Sequence, residues 1–229
     1  MPLKESKGNM YDWVTHVHTH LGGECPHRCV YCYVGKNRFG RAPRYTGELR
    51  MITRELGLNY GTGKVIFIEH MNDMFAEGMK ESWIRSILSH CNGHDNEYVF
   101  QTKNPARAYQ HKEFFPKKAI IGTTLESDID YPKISITPAP VSRIIGIERL
   151  KKYGYKTFIT IEPIMDFNID VLFKWIVEAH PDFVNIGADS KRCGLPEPSK
   201  DKVLDLVKRL QDAGVIIRKK VNLERLMSA

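Results

Sequence analysis

Cysteine is scarce in this chain, and the way it is used argues against a disulfide framework. The 229 residues contain 5 cysteines, an odd number, and three of them are crowded into the segment GGECPHRCVYCYVGKNRFG at 22–40. Disulfide-stabilised scaffolds carry paired cysteines and belong to oxidising compartments. The crowding favours free thiols that bind a metal in a reducing compartment.

Long apolar runs are also missing. The first residues, MPLKESKGNMYDW, hold nothing that resembles a signal peptide, and no later segment approaches the length that crosses a bilayer. Hydrophobic residues make up 42% of the chain and charged residues 27%, which is ordinary for a globular protein. We therefore expect a cytoplasmic protein without a membrane partner.

No Pro/Ser-rich linker, low-complexity tract or internal repeat divides the sequence, so we expect one domain over residues 1–229. Short runs rich in β-branched and aromatic residues alternate with helical patterns, which is typical of an α/β fold. The runs are nearly continuous in hydrophobicity, as strands covered on both faces should be. The predicted strands are 13–18, 64–69, 98–103, 119–124, 156–162, 182–187 and 215–219.

Six helical patterns separate these strands. Five have apolar residues at helical spacing, within 49–56, 83–91, 144–150, 171–179 and 203–210, and the sixth begins at Asn104 as N-cap with Pro105 in the first helical position. Repeated βα units imply parallel strands with right-handed crossovers. The chain is too short for eight units, so we predict a partial, open (β/α)6-type TIM-like barrel with an additional C-terminal strand. In such folds the chemistry gathers at the carboxyl ends of the strands.

The formal charge of +7 is locally dense in the segment GKNRFGRAPRYTGELR at 35–50. Basic residues interleaved with aromatic ones bind phosphates and stack on bases, whereas a solvated loop would use the same charges for solubility. Both interpretations stay open at this point. The residues concerned are Lys36, Arg38, Phe39, Arg41, Arg44, Tyr45 and Arg50.

Cys25, Cys29 and Cys32 follow the first predicted strand with the spacing C-x3-C-x2-C. Three thiolates can hold three irons of a [4Fe-4S] cluster and leave the fourth iron open for a ligand that is not protein. The alternative is a zinc site completed by a histidine, because structural zinc takes four protein ligands. The candidate histidines are His27, inside the motif, and His16, His18 and His20, which alternate along the first strand.

The motif resembles the signature of the radical S-adenosylmethionine (SAM) superfamily, including the aromatic Tyr31 before the third cysteine. Further segments resemble the phage-associated branch of unknown function, which is similar in outline to spore photoproduct lyase. These segments are HMNDMF at 70–75, QTKNPARA at 101–108, IIGTTLES at 120–127, ITIEPI at 159–164, VNIGADS at 184–190 and the C-terminal VIIRKKV. The resemblance implies one [4Fe-4S] cluster whose open iron binds SAM, and reductive cleavage of SAM to a 5'-deoxyadenosyl radical that abstracts hydrogen from a substrate.

The resemblance also implies roles for the polar residues at the strand ends. Tyr31 belongs to the cofactor-binding motif, and Asn72 and Asp73 stand where the superfamily carries a glycine-glycine-glutamate signature for the SAM ammonium, which is a departure from the pattern. Lys103 would neutralise the SAM carboxylate. Thr124 and Glu126 would bind the ribose hydroxyls, and Glu162 would face adenine or substrate. Each could instead be an ordinary polar residue at a strand end.

Two cysteines remain. Cys91 lies on the apolar face of a predicted helix and is expected in the core. Cys193 lies in a loop at the expected active-site end, where the resemblance to spore photoproduct lyase implies a catalytic cysteine that returns hydrogen to a product radical; a plain loop thiol is the alternative.

The substrate stays open at the level of sequence. The basic balance and the likeness to DNA lyases favour a nucleic acid or nucleotide, with an external electron donor as a further partner. A radical SAM enzyme that modifies a peptide or protein is one alternative. A zinc-binding nucleic-acid module without catalysis is another.

Overall fold

A computed structural model describes residues 3–7, 10–34 and 42–228, and its chain is built around one large sheet. The strands in chain order are β1 (Lys4–Glu5), β2 (His16–His18), β3 (Leu21–Gly22), β4 (Arg50–Met51), β5 (Val65–Ile68), β6 (Glu97–Thr102), β7 (Ala119–Thr124), β8 (Lys156–Ile161), β9 (Phe183–Ile186) and β10 (Ile217–Lys219). Each of the seven predicted strands is present, and most are one to three residues shorter than predicted.

The large sheet has the order β1-β2-β5-β6-β7-β8-β9-β10. β1 pairs with β2 in antiparallel orientation, and the other pairings, from β2–β5 to β9–β10, are parallel. β1 and β10 form the two edges, so the sheet is open. The α/β prediction with an open, partial barrel is confirmed, whereas β1 and the small antiparallel sheet of β3 and β4 were not predicted.

α-Helices connect the parallel strands from β5 to β10, namely α1 (Glu81–Asn92), α2 (Pro105–Gln110), α3 (Pro140–Tyr153), α4 (Ile169–Ala179) and α5 (Lys200–Asp212). A short α6 (Glu224–Ser228) follows β10. The predicted N-cap at Asn104 is confirmed, because its side chain accepts the backbone N–H of Arg107. Asn168 and Ser199, which were not predicted as caps, cap α4 and α5 in the same way.

The predicted helix over 49–56 is wrong. Arg50–Met51 instead pairs with Leu21–Gly22 as β4, and a 3-10 helix follows at Thr53–Gly57. Glu55 in that turn is buried at 1% exposure and bonds Arg44 at 3.0 Å. Because a buried ion pair and a strand pairing fix this segment, the helical spacing of its apolar residues has no effect.

The core lies on both faces of the sheet. A large apolar cluster packs the sheet against the helices, and Cys91 is fully buried in it, as predicted. A smaller cluster lies on the opposite, concave face and includes Tyr11, Phe67, Phe158 and Phe183. Trp13 packs against this smaller cluster, with its ring 5.4 Å from that of Tyr11. The smaller cluster fills the concave face near the amino ends of the strands and leaves the carboxyl ends for a site.

Among the described residues, no helix is long and apolar enough to cross a membrane. The predicted basic segment is described only in part, since Lys36, Arg38, Phe39 and Arg41 lie outside the described residues. Arg44 donates to Glu55 and to the carbonyl of Thr19, and Arg50 donates to four backbone carbonyls of the same loop. Both arginines therefore hold the loop together, which favours the structural interpretation for these two.

Candidate active site

A cavity of about 490 Å³ opens at the carboxyl ends of the parallel strands. Most of the predicted site residues line it, although they come from distant parts of the sequence. Those on its wall are Cys25, Cys29, Tyr31, Cys32, Asn72, Asp73, Lys103, Thr124 and Glu162. Glu126 and Cys193 are not among the described residues that line it.

The cysteine loop is a series of tight turns after β3. The N–H of Arg28 donates to the carbonyl of Cys25 at 3.2 Å, and the N–H of Cys32 donates to that of Cys29 at 3.0 Å. Arg28 adopts a positive φ of 47°, which reverses the chain between the first two cysteines. The three cysteines are free and half-buried, and all three line the one cavity.

The donor set fits a [4Fe-4S] cluster. Three thiols from one loop reach the same cavity, and each thiolate of such a cluster binds a different iron, so the sulfur atoms need not converge on one point. Among the described residues, no group of three or more His, Cys, Asp or Glu side chains is placed to hold a single metal ion. Burial raises the pKa of the Cys25 thiol to about 12 and also raises that of Cys29. Because a coordinated thiol loses its proton, metal binding here would release protons.

His27 and Asp73 fasten the cysteine loop to the sheet. His27 Nε2 lies 2.8 Å from Asp73 Oδ2, and its Nδ1 lies 3.2 Å from the carbonyl of Ile136. Asp73 Oδ2 also accepts the Thr102 hydroxyl at 2.9 Å and the Lys103 N–H at 2.8 Å, at the end of β6. Burial alone would raise the pKa of Asp73, but His27 and these donors outweigh it and lower the pKa. One buried carboxylate thus joins the loop between Cys25 and Cys29 to β6.

The same contacts engage both ring nitrogens of His27. It cannot become the fourth ligand of a zinc ion without breaking them. The other candidates, His16, His18 and His20, do not line the cavity. His20 Nδ1 lies 2.8 Å from Glu69, and its Nε2 lies 3.0 Å from His90 of α1. Burial lowers the pKa of His18 to about 3. His18 and His20 are therefore polar residues of the core, whereas His16 is half-buried with its Nδ1 2.8 Å from the Thr15 hydroxyl.

Glu126 is the centre of a second buried network. Its Oε2 accepts from Arg143 of α3 at 2.5 Å, and its Oε1 accepts from Lys103 and from the hydroxyl of Tyr31. Lys103 also lies over the Tyr31 ring, with its Nζ 4.7 Å from the ring centroid. Burial opposes ionisation of Glu126, yet the two cations outweigh burial and hold its pKa far below the ordinary range. Glu126 therefore contacts Lys103 and positions it, and its predicted contact with a ribose stays a prediction.

The remaining strand-end residues have polar atoms on or near the cavity wall. Asn72 donates to the carbonyl of Gly23 at 3.2 Å, and the Thr124 hydroxyl accepts from Gln101 at 2.8 Å. Glu162 pairs with Lys220 at 2.9 Å. Their predicted roles toward SAM stay predictions.

Sequence reasoning missed the floor of the cavity. The Tyr11 hydroxyl donates to Gln101 at 2.6 Å and lies 2.7 Å from the Thr160 hydroxyl, which also accepts from Asn185 at 3.1 Å. Burial raises the pKa of Tyr11 strongly, so the phenol stays neutral. These partners lie 90 and 149 residues from Tyr11. The only signal in the sequence was the aromatic pair at 11 and 13.

Cys193 lies in the loop that follows β9. Its N–H donates to the carboxylate of Asp189, which lines the cavity, whereas Cys193 itself is half-buried and not on the described wall. Its predicted catalytic role stays a prediction.

No family model matches the chain, and no curated protein matches it. Among solved structures, a cysteine-to-serine mutant of spore photoproduct lyase aligns with a TM-score of 0.65 at 11% identity, over 93% of this chain and 79% of its own. Another mutant of that lyase, with AdoMet (SAM) and dinucleoside spore photoproduct bound, gives a TM-score of 0.54 at 12% identity, over 89% and 63%. SuiB of Streptococcus suis gives 0.57 at 10% identity, over 89% of this chain and 49% of its own.

Both neighbours are radical SAM enzymes. At these identities the likeness shows a shared fold, so the resemblance predicted from the cysteine motif is confirmed at the level of the fold.

Proposed function

We propose that this chain is a radical SAM enzyme. The observation that carries the proposal is the meeting of three free cysteines from one loop in a single strand-end cavity, in a fold shared with spore photoproduct lyase. When bound, a [4Fe-4S] cluster and SAM would supply a 5'-deoxyadenosyl radical that abstracts hydrogen from a substrate.

The chain's own residues would hold and orient these groups. Cys25, Cys29 and Cys32 would hold three irons, and the His27–Asp73 pair keeps their loop against β6. Lys103 presents a positive charge beside Cys29 for the SAM carboxylate; burial alone would lower its pKa, but Cys29 and Glu126 outweigh burial and raise it. Asn72, Asp73, Thr124 and Glu162 offer polar atoms for the rest of SAM.

The substrate we propose is a nucleic acid or nucleotide. The chain carries a formal charge of +7, which suits an anionic partner. Structures of spore photoproduct lyase with dinucleoside spore photoproduct share its fold. An external electron donor completes the reaction. We further propose one domain over residues 1–229, since one sheet extends from Lys4 to Lys219, and a cytoplasmic location in keeping with five free cysteines. The phage-associated branch stays a prediction from the motifs.

The test is SAM cleavage by anaerobically reconstituted protein with a strong reductant, measured as 5'-deoxyadenosine, together with iron and sulfide per chain. We expect about four irons per chain and product formation that Cys29→Ala abolishes. Cys91→Ser is the matched control, because Cys91 is buried away from the cavity in the core.

Colourless protein that retains zinc and no iron would overturn the proposal in favour of the zinc-binding module. Iron-loaded protein that cleaves no SAM with any DNA, RNA, nucleotide or peptide would also overturn it. Stimulation by peptides alone would move the substrate to the peptide class.

A further inference from the structure

Three lysines that line the cavity take no part in the proposed SAM binding. Lys7 follows β1, Lys191 follows β9 and Lys220 follows β10. Because β1 pairs with β2 in antiparallel orientation, Lys7 lies toward the amino end of β2, whereas Lys191 and Lys220 follow the carboxyl ends of β9 and β10. Three separate segments therefore bring positive charge to one cavity, across the gap between the edge strands β1 and β10.

The carboxylates on the cavity wall do not neutralise this charge fully. Glu69 contacts His20, and Asp73 contacts His27. Glu162 contacts Lys220 and Asn222, and Asp189 accepts the backbone N–H groups of Lys191 and Cys193. Lys220 is therefore compensated by Glu162. Lys7 and Lys191 are exposed, and neither forms an ion pair with a carboxylate of the described residues. Two cations on the cavity wall are left for an anion from outside.

Aromatic surface lies on the same wall as the lysines. Tyr33 is 46% exposed, and its hydroxyl donates to the carbonyl of His70, which fixes the ring at the cavity. Tyr11 lies below Lys220, with the Lys220 Nζ 5.1 Å from its ring centroid. Lysines contact phosphates, and exposed aromatic rings stack on bases whatever their sequence. Positive charge beside a flat ring therefore fits a nucleotide unit.

We propose that Lys7 and Lys191 bind phosphates of a nucleotide or nucleic-acid substrate, with Tyr33 as the stacking surface for a base. This assignment rests on the proposed function, because it places the substrate in the cavity that would hold SAM. It names residues that the cofactor itself does not need, so it can be tested by binding alone.

The experiment measures fluorescence anisotropy of a labelled single-stranded thymidine 12-mer with the full chain, at several salt concentrations. The variants are Lys7→Gln, Lys191→Gln and the double variant. We expect the double variant to bind about tenfold more weakly and to lose about two from the slope of log affinity against log salt. Lys117→Gln is the matched control, since Lys117 is an exposed lysine before β7 that does not line the cavity.

A second arm uses Tyr33→Leu, which keeps apolar bulk but removes the ring. Weaker binding with an unchanged salt slope is the expected result, because stacking involves no counterion release. Competition by thymidine monophosphate and by inorganic phosphate then distinguishes a nucleotide from a polynucleotide as the bound species.

The site is refuted if the double variant binds the 12-mer as the wild type does, or if Lys117→Gln loses as much affinity. Failure of the wild type to bind any of the three probes would refute it as well. A different result would refute the proposed function, namely the absence of SAM cleavage by iron-loaded wild type. Absence of cleavage with lysine-dependent binding would leave the phosphate site standing and remove only the radical chemistry.

Discussion

Asp73 shows how a single buried residue organises the site before any cofactor is present. Its two oxygens accept from His27, Thr102 and the backbone of Lys103 and Phe75, with each heavy-atom distance between 2.8 and 2.9 Å. The Asp73 side chain is 9% exposed, so little water reaches these donors to replace the carboxylate. The loop that carries the three cysteines is therefore fastened to the sheet through His27, between Cys25 and Cys29.

Asp73→Asn should destabilise the protein by about 3 to 5 kcal/mol, because it leaves His27 without its buried carboxylate. Urea unfolding measures this, and hydrogen exchange of residues 25–34 should rise in the cofactor-free protein. Asp95→Asn is the control; Asp95 is 74% exposed and pairs with Lys118 on the surface, so we expect a change below about 1 kcal/mol. Unchanged exchange in the cysteine loop would show that Asp73 does not position it.

At the scale of elements, Glu126 connects three parts of the chain. It joins the cysteine loop through Tyr31, the end of β6 through Lys103, and α3 through Arg143. Arg143 is 4% exposed and Lys103 is 12% exposed, so both cations depend on this carboxylate. The position of α3 relative to the site is thus fixed by the Arg143–Glu126 ion pair as well as by packing.

Glu126→Gln should cost about 3 to 5 kcal/mol at neutral pH, since it leaves two buried cations uncompensated. The folded-state pKa of Glu126 is lowered, so its contribution is present above the unfolded-state pKa and is lost as the pH falls below it. The gap between wild type and variant should shrink by about 1.4 kcal/mol per pH unit below about pH 4.3. Urea midpoints between pH 7 and pH 3 measure this, and a gap that stays constant would contradict the assignment. Glu178→Gln, on the exposed face of α4, is the control.

Sequence patterns predicted the elements where local signals and the fold agree. The strands from Val65 to Ile186 are buried on both faces, so an unbroken apolar run was a sufficient signal. The segment 49–56 failed because its partners, Leu21 and Gly22, are about 30 residues away. The positions of the cysteines and Lys103 in the site could be predicted, because each of them follows or ends a predicted strand. Three contacts could not be predicted, because no local sequence pattern indicates which distant residues contact each other. They are those of His27 with Asp73, of Glu126 with Arg143 and of Tyr11 with Thr160.

For the whole molecule, the segment containing Tyr11 and Trp13 closes the concave face of the sheet. Trp13 stacks on Tyr11 and meets Phe158 and Phe183 edge to face, with ring centroids 6.0 and 5.5 Å apart. Arg218, on the edge strand β10, lies over the Trp13 ring at 5.4 Å. One aromatic side chain therefore connects the first strands to the last across the open gap.

Trp13→Ala should lower the free energy of unfolding by about 3 kcal/mol, because it empties the centre of this stack. Trp13→Phe keeps an aromatic ring there and should cost about half as much. Guanidinium unfolding of both variants measures the difference. Equal stability of Trp13→Ala and wild type would show that the gap is held by other contacts.

The aromatic residues on the concave face also bear on the order of binding in the proposed reaction. Tyr11, Trp13 and Phe158 fill that face near the amino ends of the strands. The cysteines, Lys103, Lys7 and Lys191 all line the one cavity beside them. A large substrate held by Lys7 and Lys191 would therefore cover a small cofactor beside the cysteines. In the proposed reaction we expect the cofactor to bind before the substrate and to leave after it.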